Sequence, residues 1–556
     1  MTGTNPWMPG LALFRTYRRE WLASDVRAGL SVAAVAVPIA IAYSQIAGVP
    51  PEVGIYSAIF PPLAYAMFGT SRQLIVNPDS AAAALIASTL APLAAVGTRR
   101  YLDLSVALAL AVGLLSVAGG VLKLGVVANF LARPILTGYT NGIAATILVG
   151  QLSGFLGMPL EATAFVPRIL EALGRISDAH GPTAALGLSL FVLLRLLKRY
   201  AQGLPGPLVA AVLAVMATMA FGFGDRGVAL VGSVPAGFPA PRLPRVTAGD
   251  LTQLFAGACS MALVSYCSMM PTARSFATRR GYALNANQEF VALGAANLAS
   301  GLGQGFVVSG ADSRTAVGDA AGGKTQLTGI VAALAMSAVL IFLTGPLALL
   351  PRTALSAIVI SAVVGMFDLR SPMRYFRIHP VEGVVSVVTT AGVIALGLLP
   401  GLLVALVVGF LRLLMLASYP HDAVLGVVET PAGLHASDDV NARRITGLVM
   451  YRFDSALLFF NADYFRERLR AAVDAESTPV QWVLIDAESM PLMDLTGAAV
   501  IDEMRRELAQ KGIVLAVARA KGRFLETLER SGLRDAIGER HMFATMRDAV
   551  EAFAGR

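Results

Sequence analysis

Charge is scarce in this chain. Of 556 residues only 14% are Asp, Glu, Lys or Arg, while 56% are apolar. Soluble domains carry about 25% charged residues, so an ordinary globular enzyme is excluded as a description of the whole. Cysteine is nearly absent. Cys259 and Cys267 lie eight positions apart on one expected span, a spacing that a helix stretches to about 12 Å. That is too far for a disulfide, so both read as packing residues. The five histidines are scattered, with no cysteine or carboxylate at ligand spacing, and no metal site or cofactor is expected. The net charge of +8 forms no basic tract with interleaved aromatics, which removes nucleic acid as a partner. No cleavable leader is expected either. Residues 1–24 are basic and broken by charges, as in an amphipathic lead-in lying on the inner face of a bilayer.

What is there is a series of apolar runs, among them Leu104–Leu122, Leu208–Phe223, Leu327–Leu343 and Val384–Leu399, each near the roughly 20 residues that cross a membrane. They predict a polytopic α-helical membrane protein over residues 25–418, with about 14 spans. Arg15, Arg27, Arg72, Lys123, Lys198, Arg279 and Arg370 stand at run ends that would be cytoplasmic if the N-terminus is inside. Arg99, Arg100, Arg226, Arg242 and Arg245 are exceptions. Beyond Tyr419 charges return every few residues. Residues 419–440 read as a linker and 441–556 as a soluble α/β domain. There "QWVLIDA" (481–487) and "GIVLAVA" (512–518) are strands, and "LTGAAVIDEMRRELAQ" (495–510) is an amphipathic helix with Leu495, Ala498, Ile501, Met504 and Leu508 on its apolar side.

Two stretches interrupt the apolar texture in the same way. "VNPDSAAAALIAS" (76–88) and "VVSGADSRTAVGDAAGGKTQ" (307–326) each set Asp-Ser where a Gly- or Pro-containing segment meets an apolar one. In a region made of two seven-span repeats, each pair falls near the third span, and an odd repeat inverts its second copy. Interrupted helices at matching positions of inverted repeats point to a transporter whose site lies between two half-helix N-termini. Converging N–H groups and helix dipoles suit an anion. Ser80, Ser313 and Thr315 would add hydroxyls, Ala81 a backbone N–H, and Arg314 a fixed charge. Capping is the competing reading. Asn77 could cap a helix opening Pro78-Asp79, and Ser309-x-x-Asp312 has the form of a capping box. "GDAAGGKT" (318–325) matches a phosphate-binding loop letter for letter. It lacks the flanking strand and helix of a soluble α/β layer and reads as a turn between spans.

The stretch "PPEVGIYSAIFPPLAYAMFGTSR" (50–72) resembles a signature of the SulP family of anion transporters, the sulfate-permease relatives of prestin and pendrin. "RRGYALNANQEFVALGAANLASGLGQGF" (279–306) and "SRTAVGDAAGGKTQLTG" (313–329) are similar to its second interrupted-helix region. The resemblance spans the chain. It implies about 14 spans in a 7+7 inverted repeat, a core domain moving against a gate domain, a homodimer and a cytoplasmic STAS domain, with regulatory proteins as partners of that domain. It also implies that Tyr43, Ser265 and Ser268 wall the site. Asp494-Leu495-Thr496-Gly497 matches the family's D-x-[ST]-G loop, where Thr496 is a phosphorylation candidate or a plain N-cap. Departures are Val53, Ile55, Ile39 where many members have glutamine, and Ser268 where many have a coupling glutamate.

The expectation is a secondary active transporter of a small inorganic or organic anion (sulfate, bicarbonate or a dicarboxylate), working by alternating access in a bacterial inner membrane. The preference for Arg over Lys suggests a GC-rich bacterial genome. Asp79 and Asp312 would oppose an anion if both stayed ionised. Proton symport answers this, with Asp79 carrying the proton and Asp312 held against Arg314. Sodium coupling, an uncoupled exchanger or channel, and a membrane sensor signalling through the tail are the alternatives.

Overall fold

The computed structural model describes residues 8–11, 16–129, 133–162, 164–201, 204–240, 242–430, 433–437 and 442–555; Arg15 lies outside them. It divides into two units, Met1–Gly409 and Phe410–Arg556.

The first unit is helical because its sequence leaves few polar side chains to satisfy a backbone held in lipid, and a helix satisfies its own. Its main elements are α1 (Leu22–Ala47), α2 (Pro51–Phe68), β1 (Val76–Asn77), α3 (Ser80–Leu90), α4 (Arg99–Val121), α5 (Arg133–Gly150), α6 (Gly181–Tyr200) and α7 (Gly206–Phe221). There follow α8 (Ala248–Arg280), α9 (Ala286–Leu302), β2 (Ser309–Gly310), α10 (Asp312–Ala320), α11 (Leu327–Phe342), α12 (Arg352–Val364), α13 (Pro380–Leu396) and α14 (Leu398–Ser418). Four stretches among the described residues are long and apolar enough to cross a membrane unaided: Arg19–Ala47, Arg99–Val121, Gly181–Tyr200 and Ala248–Arg280. Helix α8 starts on a capping box between Thr247 and Asp250 and ends on Gly281 in the left-handed region, with Arg279 and Arg280 in its last turn.

Packing follows an internal exchange. Helix α4 lies on α9 as α11 lies on α2, α8 on α4 as α1 on α11, α3 on α8 as α10 on α1, and α5 on α13 as α12 on α6. Each contact maps onto its partner by advancing seven helices, which is the pattern a duplicated unit leaves. The interrupted helices meet through their lead-in strands: β1 and β2 pair antiparallel, with Val76 opposite Gly310 and Asn77 opposite Ser309. Gly310 is required there, because a Cβ on it would stand 2.5 Å from Cβ of Met269 on α8.

The second unit is a six-stranded sheet flanked by helices. Strands β3 (Asp422–Thr430) and β4 (Gly433–Ser437) precede β5 (Leu448–Phe453), α15 (Ala462–Asp474), β6 (Trp482–Asp486), α16 (Leu495–Gln510), β7 (Val514–Ala518), α17 (Gly522–Arg530), β8 (Met542–Phe543) and α18 (Met546–Ala554). The order is β4-β3-β5-β6-β7-β8, parallel from β5 to β8. Phe465, Ile501 and Phe524 bring α15, α16 and α17 onto one face, and Met546 and Ala549 bring α18 onto the other. Two details differ from the sequence reading. Much of 419–440, expected as linker, is β3 and β4, because Val424 serves one core while Ala423 and Val427 serve the other. Leu495, expected on the apolar side of α16, is 80% exposed, whereas Ala498, Ile501, Met504 and Leu508 are buried. It is the first helical residue, and its side chain leaves the core before the buried face begins.

Candidate functional site

The site grows from the crossing of β1 and β2. There the chain leaves two short strands and enters α3 and α10, so two helix N-termini start side by side. The crossing is tied by backbone and hydroxyl bonds: Ala311 N donates to Ile75 O at 2.8 Å and Ile75 N to Thr315 Oγ1 at 3.0 Å. Ser309 Oγ donates to Ser265 O at 3.1 Å, fastening β2 to α8.

The two helix starts are unequal. Asp79, not Asn77, is the N-cap of α3, and its Oδ2 accepts from Ala81 N at 3.1 Å and Ala82 N at 3.5 Å. The Ala81 amide, expected to face substrate, is therefore spent on the protein's own carboxylate. Helix α10 has no such cap. Ala311 is its N-cap residue and makes no side-chain bond, so the expected Ser309–Asp312 capping box does not form, because the Ser309 hydroxyl is turned to α8. Instead Asp312 Oδ1 accepts from Thr272 Oγ1 of α8 at 2.6 Å. An uncapped helix start presents free N–H groups and the positive end of its dipole.

Arg314 sits between the two starts. It is 3% exposed, donates through Nη2 to Pro78 O and through Nη1 to Ser313 Oγ at 3.4 Å, and lies over the Tyr43 ring, 5.6 Å from its centroid. Among the described residues it makes no ion pair with Asp79 or Asp312 within 4.0 Å, so the expected clamp of Asp312 on Arg314 is replaced by the Thr272 hydroxyl. Ser80, buried, donates to Met366 Sδ at 3.5 Å. The structure thus brings together Tyr43, Asp79, Ser80, Ala81, Asp312, Ser313, Arg314 and Thr315. Ser265 enters through its carbonyl, and Ser268, half-buried on α8, makes no hydrogen bond to the others. Thr272, Met366 and the Pro78 carbonyl were missed. Thr272 was within reach, as the polar residue one helical turn past Ser268.

The phosphate-loop lookalike is occupied from within. Asp25, fully buried at the start of α1, accepts from Lys324 N at 2.6 Å, Thr325 N at 3.2 Å, Thr325 Oγ1 at 2.7 Å and Thr328 Oγ1 at 3.2 Å. The donors a nucleotide phosphate would need are bound to a carboxylate. In the second unit Asp494 rather than Thr496 caps α16, accepting from Gly497 N at 2.8 Å, and Thr496 is exposed.

Residues 22–389 match the model of the sulfate permease family and residues 439–549 that of the STAS domain. The chain belongs to the sulfate permease family. Membership makes it a multi-pass anion transporter rather than an enzyme. A probable sulfate transporter of Mycobacterium tuberculosis (strain CDC 1551) is 42% identical over 551 residues, covering 99% of this chain and 98% of the relative. The chloroplastic sulfate transporter 4.1 of Arabidopsis thaliana is 29% identical, over 98% of this chain and 82% of its own. In fold the permease is similar to the murine Solute Carrier 26 family member A9 anion transporter in its inward-facing state, with TM-score 0.91, 22% identity, and 99% and 94% of the two chains covered. The transmembrane domain of the cyanobacterial bicarbonate transporter BicA aligns with TM-score 0.62 and 24% identity, over 71% of this chain and 98% of that one.

Proposed function

We propose that this sulfate permease moves a sulfate-class oxyanion by alternating access, taking up a proton with each anion. The observation that carries the reading is the uncapped start of α10 beside Arg314, which is buried and makes no ion pair with Asp79 or Asp312, so that a fixed positive charge stands at the positive end of a helix dipole. Sulfate is favoured over bicarbonate because the 42% identical relative is named for sulfate, while the bicarbonate transporter is a likeness of fold. Two carboxylates at the helix starts, neither ion-paired to Arg314, call for a neutralising partner, and a proton entering with the anion supplies it. The working form would be a homodimer in a bacterial inner membrane, with the STAS domain as regulator. Thr496, exposed at a helix start, is suited to a phosphate dianion.

Labelled sulfate uptake into proteoliposomes tests the reading. Uptake should rise as external pH falls, require no sodium, and be competed by selenate more than by chloride. Uptake indifferent to pH but dependent on sodium would replace the proton with a cation. Competition by bicarbonate or a dicarboxylate in place of selenate would reassign the substrate.

A further inference from the structure

The site described above is built from α1, α3, α8, α10 and the strands between them. Facing α3 from the other part of the first unit is α5, whose main packing is against α13 and α12. Two buried hydrogen-bond donors on these helices have no acceptor. One is Nε of Arg314. The other is the hydroxyl of Tyr139 on α5, a residue 3% exposed whose oxygen meets no partner, on a helix that packs against α3.

A separate set of bonds fixes α5 in this place. Asn141 exchanges two bonds with the backbone of Asp368, Nδ2 to O at 2.9 Å and Oδ1 from N at 2.8 Å. Two residues earlier in that segment, Met366 receives the Ser80 hydroxyl. One short stretch after α12 therefore holds both the turn of α5 that carries Tyr139 and the first residue of α3. Buried hydroxyls are kept paired in nearly all native structures, and one left open beside a binding site calls for a partner from outside the protein.

We infer that Tyr139 is the ligand α5 presents to the transported anion: an oxyanion with two or more acceptor oxygens takes one hydrogen bond from the Tyr139 hydroxyl and another from Arg314, bridging α5 and α10. The inference rests on the anion site proposed above. Only while α5 and α10 stand together is the coordination complete, so movement of one relative to the other releases the anion.

The test uses the full-length protein and sulfate, comparing Tyr139→Phe with Arg314→Gln. Removing the hydroxyl alone should weaken sulfate binding about ten- to hundredfold, the range for a hydrogen bond to a charged group. It should leave the melting temperature of the sulfate-free protein unchanged or raised, because no protein partner is lost. A sulfate affinity within twofold of wild type in Tyr139→Phe, with binding lost in Arg314→Gln, overturns the role of Tyr139 and leaves the site standing. Unchanged affinity in both variants overturns the site itself. A lower melting temperature in sulfate-free Tyr139→Phe would show that the hydroxyl serves the fold, and would also overturn the inference.

Discussion

In the proposed mechanism Asp79 does two things with one carboxylate, and substitution separates them. As an N-cap it needs only an oxygen to accept from the Ala81 and Ala82 amides, which asparagine provides as well as aspartate. As a proton carrier it needs an ionisable group, which asparagine lacks. Asp79→Asn should therefore keep the wild-type melting temperature and bind sulfate at least as well, yet show uptake that no longer rises at low external pH. Asp79→Ala should lose about 1 kcal/mol of stability with the cap. Uptake by the asparagine variant that keeps the full pH response would move the proton elsewhere. The sequence made Asp79, Asp312 and Arg314 visible because a charge inside an apolar run is expensive. It could not show that Asp79 caps and Asp312 does not. That depends on Thr272 and Ser265, residues of another helix, and on which way the Ser309 hydroxyl turns.

At the scale of elements, the unit is held by partners distant in sequence. Asp25 on α1 fastens the loop ahead of α11 through four bonds from residues 324–328. Glu289 on α9, also fully buried, fastens the end of α2 through Tyr65 at 2.5 Å and Thr70 N at 2.7 Å. Bonds to a buried carboxylate are worth about 1.5–3 kcal/mol each, and orphaned donors add to the loss. Asp25→Asn, whose amide cannot accept at both ends, should lower the melting temperature by several degrees and expose the 322–326 loop to protease. Nucleotide should still fail to bind, since no strand–loop–helix cradle stands behind the loop. Wild-type stability in Asp25→Asn would deny the latch. The repeat was legible from two Asp-Ser pairs and the texture around them. The carboxylate that fills the phosphate-loop lookalike was not, because a lone aspartate just after a basic lead-in carries no sign of a partner some 300 positions away.

For the whole molecule the question is whether binding needs the second unit. Every residue of the candidate site lies between Tyr43 and Met366, within the first unit, and each unit has its own buried core. All strands of the STAS sheet come from this unit: β3 pairs with β5 and β4, and the strands from β5 to β8 run in one parallel set. Its folding therefore borrows no strand from the membrane helices. A chain ended after Ser418 should still fold in detergent and bind sulfate within about twofold of the full-length affinity, since neither Arg314 nor the start of α10 loses a partner. Transport is a different matter, because moving one set of helices past another depends on the energies of both end states, and a soluble domain that favours one of them changes the rate without touching the site. The expected result is thus a split, with equilibrium binding kept and turnover altered. A truncated protein that is folded and monodisperse yet no longer binds sulfate would mean that the STAS domain holds the helices in the binding geometry. The site would then have to be assigned to the whole chain.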